Sequence, residues 1–235
     1  MLKNKLKNKL INIFIQCRLQ SSRLPNKALV KFFGEYIIER LIRIAKNTRF
    51  NKRIYLLTGN KKKNLKLKKI ANKYKIKIFF GSEENVCNRY FKAIKHFNIR
   101  NKDYIMRITA DNYLIQPKIL DELTRYTDKY EYISFDPVSH FGGELFKTKS
   151  FINKIFKKKL SKNTRQHVTV NFRKLKNVKR KKLNRLLFGI NHLRKITLDT
   201  PKDLMFLKKI EKNQKFQNLN CIKDLKALTN QKQGK

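Results

Sequence analysis

Residues Ile11–Lys27 read I-N-I-F-I-Q-C-R-L-Q-S-S-R-L-P-N-K, and the fold turns on that stretch. Ile11, Ile13, Phe14 and Ile15 form an apolar, β-branched run of the kind a buried strand uses. The run breaks into a segment carrying Arg18, Ser21, Ser22, Arg23 and Lys27. A strand therefore hands over to a basic loop. Guanidinium groups fork onto phosphate oxygens and small hydroxyl side chains let backbone N–H groups approach, so the loop suits a polyphosphate. A solvated basic turn fits the same residues, and composition does not separate the two readings.

Working outward, Tyr36–Asn47 places Ile37, Ile38, Leu41, Ile42, Ile44 and Ala45 on one broad face, the pattern of an amphipathic helix, with Gly34 marking the turn before it. Strands are expected at Arg53–Thr58, Ile76–Phe80 and Asp103–Ile108, with helices at Asn64–Tyr74 and Asn85–Phe97 between them. The second of these starts after Ser82, with Glu83 and Glu84 in its first turn. Pro117 opens a helix over Lys118–Tyr126. Strand and helix alternating at these spacings predict a parallel α/β sheet. Further on, the pattern predicts a strand at Tyr132–Phe135, an irregular Asp136–Glu144, a helix over Lys147–Leu160, and a helix or a strand from Arg165 to Phe172. Lys174–Arg185 reads as an exposed basic excursion. A last strand over Leu193–Asp199 precedes a helix from Pro201 to Glu211 and a short helix over Cys221–Leu228. With no repeat and no linker, residues 11–229 form a single domain between a basic lead-in (1–10) and a polar tail (230–235).

At 235 residues, 40% of them hydrophobic, the chain can bury a substantial core. Three widely spaced cysteines, Cys17, Cys87 and Cys221, without C-x-x-C spacing indicate neither a disulfide framework nor a zinc site, which fits a reducing cytoplasm. The apolar run Ile11–Ile15, interrupted by Asn12, is too short for a signal segment or a membrane span, so no membrane insertion is expected. Fifty-nine Lys+Arg against 16 Asp+Glu give a net charge of +43, a field that attracts polyanions. That excess is spread along a Lys-, Asn- and Ile-rich chain without an RRM signature or zinc knuckle, so specific nucleic-acid recognition is the lesser reading. Runs such as Lys61–Lys69 and Lys174–Lys182 are mostly solvated faces.

No H-E-x-x-H, G-x-S-x-G or Walker-type loop is present, and only 7 glycines are available for a dinucleotide fingerprint. What remains is the basic loop and two carboxylates just past strand ends, Asp111 and Asp199. A carboxylate facing a polyphosphate is repulsive unless a cation stands between them, and Mg²⁺ held by one or two carboxylates plus phosphate oxygens meets that need. A loop or helix-capping role is the plainer alternative for each, above all for Asp199 ahead of T-P-K-D.

Taken together and in order, I-Q-C-R-L-Q-S-S-R-L-P-N-K, G-S-E-E-N-V-C-N-R-Y (Gly81–Tyr90), R-I-T-A-D-N-Y-L-I-Q-P (Arg107–Pro117), R-Q-H-V-T (Arg165–Thr169) and L-D-T-P-K-D-L (Leu198–Leu204) resemble the cytidylyltransferase family. The branch they resemble most is the spore-coat-polysaccharide type, related to enzymes that make CMP-activated octulosonic and acylneuraminic acids. The resemblance implies a three-layer α/β/α fold with a mostly parallel sheet, of the nucleotide-diphospho-sugar-transferase type, and Mg²⁺-dependent transfer of CMP from CTP to a sugar acid, with release of pyrophosphate, for surface polysaccharide or glycan biosynthesis. It implies that Arg18, Ser21, Ser22, Arg23 and Lys27 hold the triphosphate, with Arg18, Lys27 and Asp111 as the catalytic set. Asp111 and Asp199 would be the metal ligands. Gly81 and Arg107 would lie on the nucleotide side, with the Glu83–Arg89 segment lining the nucleotide or sugar. Glu144, Arg165, Gln166 and His167 would lie toward the acceptor, and a homodimer is expected.

Such chemistry is an in-line attack on the α-phosphorus and needs positioning and electrostatics more than a protein nucleophile. No general base is assigned. His167 is a candidate whose plainer alternative is a hydrogen-bonded structural role. Two departures from the family pattern stand out. Asn26 replaces the glycine of S-R-L-P-G-K, a change that a positive φ tolerates. H-F-G-G-E-L-F (His140–Phe146) keeps Glu144 but lacks a neighbouring aspartate, which leaves the acceptor open. Transfer to a sugar 1-phosphate is the alternative enzyme reading, and a basic nucleic-acid-binding protein the alternative of another class.

Overall fold

The computed structural model describes residues 10–136, 142–156, 165–190, 197–213 and 222–230. Strand β1 (Ile11–Gln16) is followed by a small hairpin, β2 (Lys31–Phe32) and β3 (Glu35–Tyr36), then α1 (Ile37–Lys46), β4 (Lys52–Thr58), α2 (Leu65–Lys73), β5 (Lys77–Phe80), α3 (Val86–His96) and β6 (Tyr104–Thr109). Beyond these come α4 (Pro117–Thr124), β7 (Tyr132–Asp136), β8 (Glu144–Lys147), α5 (Val170–Lys174), β9 (Arg180–Asn184), α6 (Pro201–Lys212) and α7 (Ile222–Asn230).

Seven strands form one sheet in the order β5-β4-β1-β6-β8-β7-β9, and β1 lies between β4 and β6, parallel to both. Alternation along β1 explains why it is central. Ile11, Ile13 and Ile15 pack on one face with Leu41 of α1, Leu67 of α2, Leu120 of α4 and Leu207 of α6. Phe14 joins Tyr90 of α3, Phe146, Phe151 and Phe172 on the other face. The sheet is thus covered on both sides, as a largely parallel sheet must be. Each buried isoleucine or phenylalanine contributes roughly 1.5–3 kcal/mol. Because the chain leaves β1 for β4 and β5 on one side and returns to β6 on the other, the crevice between the loops after β1 and β6 is the topological switch point of the sheet.

Three expectations need correction. Glu144 does not close an irregular segment and Lys147 does not open a helix: Glu144–Lys147 is strand β8, antiparallel to both β6 and β7. Gly143 makes that pairing possible, since a Cβ there would lie 2.9 Å from the Arg107 carbonyl oxygen. The basic stretch around Lys181 is no free excursion but the edge strand β9, parallel to β7, with Leu183 buried and Arg180 and Lys182 exposed, a usual protection of an exposed edge. Residues 197–199 carry no strand, and 193–196 of the expected last strand lie outside the described residues. The helix expected over Lys147–Leu160 is Thr148–Ser150 running into a π-helical turn, Phe151–Phe156, and its remainder also lies outside the described residues, as do 137–141 of the irregular segment. The Arg165–Phe172 alternative resolves as helical.

Asn26 has φ 57° and ψ 18°, the left-handed region, and its N–H closes onto the Leu19 carbonyl at 2.7 Å. Asparagine reaches this conformation where other L-residues strain. Asn26→Gly should therefore leave stability within a few tenths of a kcal/mol, whereas Asn26→Val should lose about 1–2 kcal/mol in chemical denaturation.

Candidate active site

The loop after β1, the turn after β6 and the segment ahead of α6 meet over the carboxyl ends of the central strands in a cleft of about 450 Å³. Register brings the first two together: Gln16 is opposite both Leu57 and Thr109, and the Ala110 N–H bonds to the Gln16 carbonyl at 3.0 Å. The third is pinned by a backbone bond from Leu198 N–H to the Asp111 carbonyl oxygen, 2.9 Å, which sets the two aspartates side by side.

Lys27 stands between them, its Nζ 2.9 Å from Asp199 Oδ1 and 3.5 Å from Asp111 Oδ2. Arg23 reaches Asp199 Oδ1 at 3.5 Å from the solvent side. Burial pushes the Asp199 carboxyl up, but the hydrogen bond and charge of Lys27, helped by Thr197 and Arg23, outweigh it and hold the group below the ordinary carboxylate range. Capping does not engage Asp199. Thr200 caps α6 and Asp203 completes the capping box. Nor does Asp111 cap α4, where Gln116 takes that position.

On the far side of the cleft Arg107 and Glu144 are cross-strand partners, joined at 2.5 Å. Glu144 is 2% exposed and also accepts from the Tyr132 hydroxyl at 2.5 Å and from Thr169 Oγ1 at 2.7 Å. Its acceptor capacity is thus largely engaged within the protein, where it orients Arg107 and ties the helical 165–174 segment to the sheet. Burial works against the Arg107 charge, but Glu144 more than compensates and raises its pKa. His167 is exposed on the cleft wall. Partial desolvation of its ring against the cleft wall, followed by Arg107 and Arg173, lowers its pKa below the ordinary 6.5, against a smaller opposing pull from Glu144.

Of the residues singled out in the sequence, Arg18, Ser21, Ser22, Arg23 and Lys27 line one side of the cleft with Asp111 and Asp199, and Arg107, Glu144, Gln166 and His167 line the other. Gly81 and Arg165 do not line it. Gly81 instead makes room for Arg89, whose Cγ would lie 2.8 Å from a Cβ there, and Arg165 is exposed nearby. Arg89, one helical turn after Val86 and also on the cleft wall, was marked only as part of its segment. It is 1% exposed, its Nε and Nη1 find no hydrogen-bond partner among the described residues, and burial lowers its pKa. Gln16, Asn112 and Thr197 also contribute without a sequence signal beyond adjacency. The expected first turn of α3 is altered. Asn85 is the cap, accepting from Asn88 N–H at 2.9 Å, and Glu83 turns away from the helix.

Five arginines and lysines line the cleft against five aspartates and glutamates, so a chain of net charge +43 has a site that is close to neutral. A triphosphate entering it therefore brings negative charge that the protein alone does not balance. The donor set fits a divalent cation: Asp111 Oδ1 is buried without a hydrogen-bond donor among the described residues, and the two carboxylates already share one positive charge. Among the described residues no three His, Cys, Asp or Glu groups cluster as a protein-only metal cage, but Mg²⁺ completes its shell with phosphate and water oxygens.

A family model described as cytidylyltransferase matches residues 12–233. The chain belongs to the cytidylyltransferase family. It is 32% identical to an uncharacterized protein of Methanocaldococcus jannaschii over 68% of this chain and 65% of that one, so the match spans slightly less than two thirds of that relative. It is 27% identical to the spore coat polysaccharide biosynthesis protein SpsF of Bacillus subtilis over 69% of this chain and 70% of that one. A 3-deoxy-manno-octulosonate cytidylyltransferase of Francisella tularensis is 27% identical over 45% of this chain and 41% of its own. In fold the chain is similar to a cytidylyltransferase from Leptospira borgpetersenii, with TM-score 0.80 at 23% identity, covering 97% of this chain and all of that one. Within this family member, no described helix is long and apolar enough to cross a membrane, and Cys17 and Cys87 are buried free thiols.

An NMR titration of the His167 ring, assigned with His167→Asn, should give a midpoint below 6.5, and Glu144→Gln should lower it further by removing the carboxylate that favours the imidazolium. The unfolded chain takes this proton near 6.5 and the folded chain only at lower pH, so His167 diminishes stability as pH falls below 6.5. His167→Asn should flatten that part of the stability profile.

Proposed function

We propose that the chain is a Mg²⁺-dependent cytidylyltransferase that transfers CMP from CTP to a sugar acid of the nonulosonic or octulosonic type, releasing pyrophosphate, in the cytoplasmic supply of surface polysaccharide or glycan. The observation that carries this reading is the Asp111–Lys27–Asp199 arrangement beside the arginine-bearing loop: two carboxylates and a shared cation where a triphosphate has to be neutralised. The named activity of the Francisella relative and the named role of SpsF support the nucleotide and the pathway class.

In this reading Arg18, Ser21, Ser22, Arg23 and Lys27 grip the triphosphate, and their charge offsets what accumulates on the departing pyrophosphate. Asp111 and Asp199 hold the cation, which when bound polarises the phosphoryl oxygens. Arg107, fixed by Glu144, presents a guanidinium to the acceptor side, where a sugar carboxylate is its natural partner. Gln166 and His167 orient the acceptor, and His167, uncharged at neutral pH, is in the protonation state that a proton acceptor needs. Assembly as a homodimer belongs to the same proposal.

The test is pyrophosphate release across a panel of the four nucleoside triphosphates with acid sugars and sugar 1-phosphates. Release with CTP and an acid sugar, lost by at least 10³-fold in Asp111→Ala, is the expected outcome, on the order seen when charge stabilisation at a transition state is removed. Turnover only with a sugar 1-phosphate would replace the acceptor assignment. Mg²⁺ should raise the melting temperature of the wild type and not of Asp111→Ala, and equal shifts in both would overturn the metal assignment.

A further inference from the structure

The loop after β1 is held by a contact that comes from outside the cleft. Leu19 is its pivot. The Leu19 side chain is buried at 5% exposure, and its carbonyl accepts from Asn26 N–H at 2.7 Å and Ser21 N–H at 3.1 Å. Its own N–H donates to Asn64 Oδ1 at 3.0 Å. Asn64 is fully buried at the junction of the 3-10 turn Lys62–Asn64 with α2, and does not line the cleft. Its Nδ2 donates to the Asn60 carbonyl at 2.8 Å and to Glu83 Oε1 at 3.2 Å, and Glu83 Oε1 also accepts from Asn60 N–H at 2.8 Å. Glu83 reaches this position because Gly59 has no side chain: a Cβ there would lie 2.1 Å from the Glu83 Cδ.

The segments that follow β1, β4 and β5 are thereby joined in one line, Leu19 to Asn64 to Glu83. Asparagine is the residue that can accept at one end and donate at the other. Aspartate would face Glu83 with a second carboxylate, and leucine would leave the Leu19 N–H buried and unpaired. Neither Asn64 nor Glu83 brings positive charge to a phosphate. We propose that Asn64 and Glu83 are positioning residues that hold the polyphosphate-binding loop in its gripping shape through the Leu19 N–H. The proposal rests on reading that loop as the triphosphate site.

Charge and positioning predict opposite signs for one substitution. Glu83 lines the cleft, so deleting its carboxylate should strengthen polyanion binding if only its charge matters. If it acts by holding Asn64, Glu83→Ala should weaken binding, while Glu83→Gln, which keeps an oxygen for Asn60 and Asn64, should remain within about twofold of wild type or bind more tightly, its carboxylate charge being gone. The measurement is calorimetric titration of the full chain with inorganic tripolyphosphate and with CTP in Mg²⁺, well below each variant's melting temperature. We expect Glu83→Ala to bind both about five- to tenfold more weakly, and Asn64→Leu, where it folds, to bind at least tenfold more weakly. Unchanged or tighter binding in Glu83→Ala, or equal loss in Glu83→Gln, overturns the relay and leaves the triphosphate reading intact. A wild type that binds neither ligand overturns the triphosphate reading itself, and the relay with it.

Discussion

The ammonium of Lys27 between the carboxylates of Asp111 and Asp199 is the contact on which the cleft depends. Two carboxylates in a partly desolvated crevice repel strongly unless a cation lies between them, and removing such a partner from a partly buried site is costly. The strands supply the three groups from three distant parts of the chain. β1 delivers the loop that ends in Lys27, β6 runs into Asp111, and the Leu198–Asp111 backbone bond draws Asp199 to the same rim. On the proposed reading, a polyphosphate and its counter-cation would take over this pairing, and the Lys27 ammonium and Arg23 would turn to phosphate oxygens.

The half of the cleft around Arg107 is built on a different principle. There a single buried carboxylate gathers its partners. Glu144 is surrounded by Arg107, Tyr132 and Thr169, so one buried carboxylate fixes a cleft guanidinium, a strand and the helical 165–174 segment at once. Arg107 is left with an orientation more than a free charge, which suits recognition of a planar carboxylate.

Much of the central architecture was legible because long apolar periodicities leave few alternatives. The i, i+3, i+4 pattern of Ile37–Ala45 and the strand preceding Arg18 have no other economical reading, and Asp111 and Asp199 stood out because each follows an element predicted to end there. What escaped has identifiable causes. β8 is four residues long and depends on Gly143 admitting the Arg107 carbonyl, a tertiary condition without a local signal. β9 is mostly lysine and arginine and is a strand only because β7 offers it an edge. The place of Gly81 could not be read because its function is to leave space for Arg89, a contact between a loop and a helix. Net charge misled in the other direction, since a +43 chain has a cleft with equal numbers of acids and bases.

The parallel pairing of β1 on both flanks has a consequence for the order of assembly. Ile11 is paired with Lys52 on one side and Tyr104 on the other, so β1 has no complete set of neighbours until β6 has been made. The loop that follows it waits longer still, for Leu198 to bring Asp199 to Lys27. Non-local contacts of this kind make folding slow and leave an apolar strand uncovered meanwhile. The strand and its loop are therefore made before the elements that shape them, and a net charge of +43 opposes self-association of the waiting chain.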